Sequence, residues 1–346
     1  MIKEAICKLT QRKDLNFKEA REVFEEIFDH KATPSQISAL LATLKMKGET
    51  EKEISAAASV IRDRATKLTL VKSLGIEDDY QPLMDTCGTG GSGLNKFNIS
   101  TATAFIVSAA GVRVAKHGNR AMSSSCGSAD VLEALGINIG VSPSVMEKAL
   151  KKIGIAFLYA PLYHPALGQV AQIRREMGIR TIFNILGPLC NPALAEYQLL
   201  GVYQADLTLT LARVLKRLGV KRAFVVHGKD LADEISLTGP TYVSFLNNKK
   251  IRNFRLQPSS FGLKKIKLKD LMVKNANMSA KVIREILKGK KGAARDIVLA
   301  NASACFYILG KVNNFREGVK LASELIDEGR AKDKFFKFKE FLDKNA

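Results

Sequence analysis

The chain changes its hydrophobic period once, near Leu68, and that change limits the fold more than any other feature. Before it, "FKEAREVFEEIFDH", "PSQISALLATLKMKG" and residues 51–67 carry apolar side chains at three and four spacing, the mark of helices with one buried face. Asn16 with Glu19, Thr33 with Gln36 and Thr50 with Glu53 are cap-like pairs at the helix starts, and Pro34 suits a first helical position. After the change, short strands alternate with helices. "PLMDT" leads into a glycine loop, "STATAFIVSAAG" reads as helix, "VRVAKHG" as strand and loop, and "ADVLEALG" as helix. Further on, "AEYQLLGVY" and "RAFVVHG" read as strands with the helix "ADLTLTLARVLKRLG" between them, and from about Asn277 the tail is mostly helical. Alternation of this kind implies a sheet flanked by helices. The expected architecture is α/β: a small N-terminal helical domain over 1–67 and a larger α/β domain over 68–346.

Charge and cysteine usage narrow the class. The formal net charge is +20, and residues 246–346 hold 24 basic against ten acidic residues, whereas 1–60 are balanced at ten of each. A basic excess of this kind is a footprint for polyanions or simply a solvated face, and it lacks the interleaved aromatics that single-strand binders stack on bases. No apolar run reaches the roughly 18 residues a membrane span needs, and the first residues lack a signal-peptide core, so the expectation is a cytoplasmic protein with no membrane partner. Cys7, Cys87, Cys126, Cys190 and Cys305 are odd in number and far apart, which suggests buried free thiols rather than disulfides or zinc.

The loop at 85–101, "DTCGTGGSGLNKFNIST", has Gly88, Gly90, Gly91 and Gly93 within six positions. Gly88, Gly90 and Gly93 satisfy the dinucleotide pattern, but the region where an acidic residue should take the ribose reads "VRVAKHGNR", which is basic and argues against NAD. Leu94 follows Gly93 where a Walker motif needs lysine. What remains is a loop feeding the start of a helix, where backbone N–H groups favour an anion, with Asn98 or Ser100 either contacting it or capping the helix.

Three further clusters carry polar chemistry. In "AKHGNRAMSSSCGSAD", Lys116, His117, Asn119 and Arg120 end a strand, the usual ligand position in open α/β sheets. In "RREMGIRTIFNILGPLCNP", Arg174 and Arg175 lie on an amphipathic helix, where one can turn outward and one toward a cleft; a carboxylate fork and a surface salt bridge both remain open. In "VVHGKDLADEIS", Asp233 and Glu234 follow a strand and either hold Mg²⁺ or face solvent.

Together these four motifs, with "RDIVLANASACFYILG" and "ELIDEGRA" near the end, resemble the anthranilate phosphoribosyltransferases, and the likeness covers essentially the whole chain. The resemblance implies transfer of the phosphoribosyl group of phosphoribosyl pyrophosphate to the amino group of anthranilate, in tryptophan biosynthesis. It implies that a segment near 165–182 joins the small domain and that two copies associate through their small domains. Phosphoribosyl pyrophosphate would meet Gly88, Gly91, Ser92, Lys96, Asn98, Ile99, Ser100 and Thr101 after the first strand. It would also meet Lys116, His117, Gly118, Asn119, Arg120, Ala121, Met122, Ser123, Ser124 and Ser128 after the second. Anthranilate would meet Gly88, His117, Asn119 and Arg174, and Mg²⁺, expected as two ions, would be held by Ser100, Asp233 and Glu234. No dedicated catalytic acid or base is implied, because Lys116, the metal and the loop amides would stabilise the charge that grows on departing pyrophosphate.

A pyrimidine-nucleoside phosphorylase and a noncatalytic nucleic-acid binder of the same fold are the rival readings. The Arg174 segment and the acid pair fit the first poorly, and nucleic acid is not an expected partner despite the charge. Two positions depart from the resemblance: Ser92 replaces the usual Asp and Lys96 the usual Thr, each adding a positive unit that faces either the ligand or solvent.

Overall fold

In the computed structural model, which describes residues 1–68, 82–121 and 127–345, the first helices span Ile2–Thr10, Phe17–Phe28, Pro34–Lys47 and Glu51–Arg64. All three cap-like pairs are reciprocal capping boxes, and Pro34 opens its helix. Each cap satisfies helix-start donors that would otherwise be orphaned, a contribution of about 1 kcal/mol. Glu53 also accepts from the backbone N–H of Leu15 at 2.9 Å and from Lys47 Nζ at 3.0 Å, tying two loops to the start of the fourth helix.

Among the described residues seven strands form one sheet: β1 (Leu83–Asp85), β2 (Arg113–Gly118), β3 (Ile155–Tyr159), β4 (Tyr197–Gly201), β5 (Arg222–Gly228), β6 (Thr241–Asn247) and β7 (Lys250–Leu256). Their order is β3-β2-β1-β4-β5-β6-β7, parallel from β3 to β5 and antiparallel beyond. The chain moves outward from β1 to β3 and then returns to place β4 on the other side of β1, so the strand order reverses there. In open α/β sheets ligands bind beyond the carboxyl ends of the strands at such a reversal. The glycine loop, the Lys116 cluster and the acid pair all follow carboxyl ends, those of β1, β2 and β5.

Both sheet faces are covered. Along β5, Phe224 and Val226 pack into a core shared with the helices at 99–109, 276–287 and 293–308, while Ala223 and Val225 face a second core shared with the N-terminal helices and the helix Leu207–Arg217. That alternation is the period of two of a strand buried on both faces. The helix Gly168–Met177 sends Val170 and Ile173 into the second core, and Gln169 Nε2 donates to the Ile27 carbonyl at 2.8 Å. Phe183 sets its ring edge to face against Phe24 and Phe28.

Two features leave little trace in the sequence. β3 is a five-residue apolar run, and the β6–β7 hairpin turns at Asn248 and Lys249, both with positive φ (45° and 72°), without the glycine that usually marks such a turn. Cys7 is exposed, a correction to the expectation of buried thiols: it lies on the outer face of a helix that buries Ile2, Ala5 and Leu9. Cys87, Cys190 and Cys305 are buried, and Cys126 lies outside the described residues. No helix among the described residues is long and apolar enough to cross a membrane.

Candidate active site

The strand ends are joined by a buried carboxylate that the sequence reading does not single out. Asp85, the last residue of β1, accepts from the backbone N–H of Cys87 at 3.0 Å, from that of His117 at 3.2 Å and from Asn191 Nδ2 at 2.7 Å. Burial pushes its pKa up to about 6 against the pull of Lys116. The Asn191 amide also donates to the Ala115 carbonyl at 2.8 Å, so one carboxylate and one amide lock β1, β2 and the turn before β4 together. Its only local signal is an acid at the end of a short apolar run.

Beyond Asp85 the glycine loop takes positive φ at Gly90, Gly91 and Gly93 (64°, 74° and 70°), which L side chains rarely adopt. Arg180 Nη2 donates to the Gly91 carbonyl at 2.5 Å while its guanidinium lies 4.4 Å from the Tyr203 ring centre, strapping the loop from outside. Ser92 is half-buried and accepts from the Leu94 N–H at 3.3 Å in a local turn. The helix Ile99–Ala109 starts at Asn98, whose side chain accepts from the Thr101 N–H at 3.0 Å and from the Ser100 hydroxyl at 3.2 Å, so Asn98 serves as the cap. Ile99 and Thr101 are buried behind it.

β2 brings Lys116 to this helix start. Lys116 is buried, and its Nζ donates to Ser100 Oγ at 3.0 Å and, more weakly, to the Thr86 carbonyl at 3.4 Å, which unites the first two motifs. His117 is equally buried, with Nδ1 2.9 Å from the Gly187 carbonyl. A carbonyl can only accept, so Nδ1 carries the proton and Nε2 is left as an acceptor, without a hydrogen-bond partner among the described residues. Burial and the neighbouring His164, whose ring centre lies 5.1 Å away, push the His117 pKa down to about 3. The ring is neutral across the physiological range.

The residues after β2 divide. Gly118 is required by crowding, since a Cβ there would lie 2.2 Å from Ser128 Oγ. Asn119 is exposed, and its carbonyl accepts from the Ala129 N–H at 3.2 Å. Arg120 turns to the helix Ser128–Ala134: its guanidinium forms a fork on Glu133 at 2.6 and 2.7 Å and meets Asp130 at 3.1 Å. The Ala121 N–H donates to Asp130 Oδ2 at 3.0 Å. Met122, Ser123 and Ser124 lie outside the described residues.

After β5, Asp233 and Glu234 enter the same region through a backbone pressed on glycine. A Cβ at Gly201, the end of β4, would lie 1.8 Å from the Asp233 carbonyl oxygen, so only glycine admits the loop. Glu234 is 8% exposed, and its pKa is raised, foremost by burial, against the pull of Lys96, Lys116 and the Ser100 backbone N–H. The solvent-facing alternative for Lys96 is corrected: its side chain is 9% exposed, and its Nζ lies 2.5 Å from Asp233 Oδ1 and donates to the Leu231 carbonyl at 2.9 Å. The described residues contain no group of three or more His, Cys, Asp or Glu side chains able to hold a metal. Two carboxylates and the Ser100 hydroxyl are hard oxygen donors that suit Mg²⁺ when substrate oxygens complete the shell. On the helix Gly168–Met177, Arg174 is the half-buried arginine, its guanidinium 5.5 Å from the Phe183 ring centre and its pKa lowered by burial, while Arg175 is exposed.

A helical bundle beside an α/β sheet whose strand ends gather an anion loop, a buried lysine and an acid pair defines a class. The chain matches the glycosyl transferase family in both parts, its helical bundle domain over residues 3–65 and its a/b domain over residues 80–332. It is 51% identical over 337 residues to an anthranilate phosphoribosyltransferase of Geobacter sp. (strain M21), covering 96% of each chain, and 45% identical to that of Persephonella marina, covering 99% of each. The crystal structure of the anthranilate phosphoribosyltransferase of Thermus thermophilus superposes with a TM-score of 0.90 at 38% identity, over 98% of this chain and 99% of that one. The Saccharomyces cerevisiae enzyme in complex with PRPP and Mg superposes at 0.88 and 26% identity, over 99% and 98%. The chain belongs to the anthranilate phosphoribosyltransferase family.

Proposed function

We propose that this chain transfers the phosphoribosyl group of phosphoribosyl pyrophosphate to the amino group of anthranilate, releasing pyrophosphate. The observation that carries the reading is the convergence of Lys116, Ser100 and the Asp233–Glu234 pair at the ends of β1, β2 and β5. The glycine loop amides, from Gly88 and Gly91 to the helix start, take the phosphates, and Lys116 places a fixed cation beside them. Ser100, Asp233 and Glu234 would hold Mg²⁺, with two ions expected in all. Bound Mg²⁺ supplies neutralisation of the charge that grows on the leaving group.

Arg174 binds the carboxylate of anthranilate, and Gly88, His117 and Asn119 line the ring's pocket. His117 enters that lining as a neutral ring fixed by its Nδ1–H donating to the Gly187 carbonyl at 2.9 Å. An aniline nitrogen is neutral and already nucleophilic, so no strong base is needed. The bundle of 1–67 takes in the 165–182 segment, two copies pair through these small domains, and the enzyme works in the cytoplasm.

The test is anthranilate fluorescence in the presence of phosphoribosyl pyrophosphate and Mg²⁺. Steady loss that requires both substrates supports the reading. Phosphorolysis of a pyrimidine nucleoside without any such loss would assign the site to a nucleoside phosphorylase instead.

A further inference from the structure

We infer that Lys96 is a built-in rival of the metal at Asp233, and that it makes metal capture by the acid pair depend on the arrival of the diphosphate. The inference rests on the phosphoribosyl-transfer reading, in which Asp233 and Glu234 are metal ligands. Its observation is the ion pair itself: Lys96 Nζ lies 2.5 Å from Asp233 Oδ1, with the two side chains only 9% and 12% exposed. The lysine is held in place by its backbone. Lys96 bridges to Met272, the Phe97 N–H donates to the Leu271 carbonyl at 3.0 Å, and the Val273 N–H donates to the Asn95 carbonyl at 2.7 Å. Its Nζ also holds the Leu231 carbonyl at 2.9 Å, two residues before Asp233, so it orders the acid loop as well as neutralising it.

The charge balance around the pair decides what this does. Asp233 and Glu234 bring two negative charges, while Lys96 and Lys116, the latter 3.0 Å from Ser100 Oγ, bring two positive ones. A set neutral in sum offers little attraction to a hard dication that sheds its water reluctantly. A buried ion pair also resists losing either partner, so a metal that takes Asp233 must first displace the ammonium. A diphosphate brings several negative charges to the neighbouring glycine loop, gives Lys96 and Lys116 a new counter-charge, and frees Asp233 for the metal. Lys96 is thus a positioning residue that keeps the acid loop assembled and closed to free metal until substrate arrives.

Electron paramagnetic resonance of free Mn²⁺, titrated with the full-length protein and no substrate, counts metal bound without reference to activity. The expected result is weak binding by wild type and binding at least about tenfold tighter by Lys96→Met. In Lys96→Met with Asp233→Asn the gain disappears. Inorganic pyrophosphate narrows the gap between wild type and Lys96→Met to within about threefold, because the diphosphate then neutralises Lys96 in its stead. Equal substrate-free affinities in wild type and Lys96→Met overturn the inference. Failure of the underlying reading looks different: Mn²⁺ bound with pyrophosphate would be unchanged by Glu234→Gln in either background, which overturns both. If Lys96→Met does not fold, Lys96→Gln removes the charge while keeping a donor for Asp233, and the same comparison applies.

Discussion

Glu53 in the helical bundle and His117 at the strand ends are buried to a similar depth, yet their polar atoms have opposite fates. Both oxygens of Glu53 are engaged, by the N–H groups of Leu15 and Thr50 and by Lys47. His117 Nε2 has no hydrogen-bond partner among the described residues, and Thr101 Oγ1, on the helix that follows the glycine loop, shares that state. Burying a polar atom without a partner costs about 1–3 kcal/mol, so a fold keeps such atoms where something else repays the loss. The bundle satisfies its own polar groups and supports. The strand ends leave acceptors open and squeeze like charges together, as a site built for a ligand must.

Removing the acid pair is the most severe way to test that division. Asp233→Asn with Glu234→Gln is expected to lower kcat by about a thousandfold or more while circular dichroism shows the fold retained, with the melting temperature lowered because Lys96 loses its buried counter-charge. Activity retained at ordinary Mg²⁺ would move the metal elsewhere. Arg174→Ala is milder: losing a charge-assisted fork worth about 1.5–3 kcal/mol should raise KM for anthranilate by about ten- to a hundredfold, with KM for phosphoribosyl pyrophosphate nearly unchanged. Equal changes for both substrates would remove Arg174 from the anthranilate site.

The Asp85 hub gives the strand ends a pH signature of their own. Its pKa is raised from 3.8 to about 6 by burial, so its stabilising contribution is complete below about pH 4 and is lost as pH rises through about 6. Asp85→Asn cannot titrate. Denaturant unfolding between pH 4 and 7.5 should show the variant gaining on wild type through that window and running parallel above it; parallel curves throughout would mean the carboxylate keeps an ordinary pKa. Smallest is the change in the bundle. Thr50→Ala removes one cap, costing about 1 kcal/mol and roughly 2–4 °C in melting temperature, with kcat and both KM values unchanged. A fall in kcat there would blur the line between support and site.

How much of this was legible in the sequence follows from the same contrast. Capping boxes are local, three residues from Asn16 to Glu19, and each formed as the spacing predicts. The glycine loop and the Lys116 motif were readable for a related reason, since each lies at the end of its own strand and needs no partner to be noticed. What joins them is long-range. Asp85 meets Asn191 across 106 residues and Lys96 meets Asp233 across 137, separations over which no periodicity carries a signal. The fork of Arg120 on Glu133 is likewise unannounced by its sequence neighbours, because it depends on the following helix turning its acids back toward β2. The β6–β7 hairpin escaped because Asn248 and Lys249 make its turn where glycine is the usual clue.

The central claim, that the strand-end cluster moves a phosphoribosyl group from diphosphate to an aromatic amine, is tested most directly by phosphorus NMR of one reaction. With anthranilate, phosphoribosyl pyrophosphate, Mg²⁺ and the full-length chain, pyrophosphate and one new phosphomonoester should appear in equal amounts, only when anthranilate is present, and not with Asp233→Asn, Glu234→Gln. Pyrophosphate release at the same rate without anthranilate, or a phosphomonoester formed undiminished by the variant, would contradict the account.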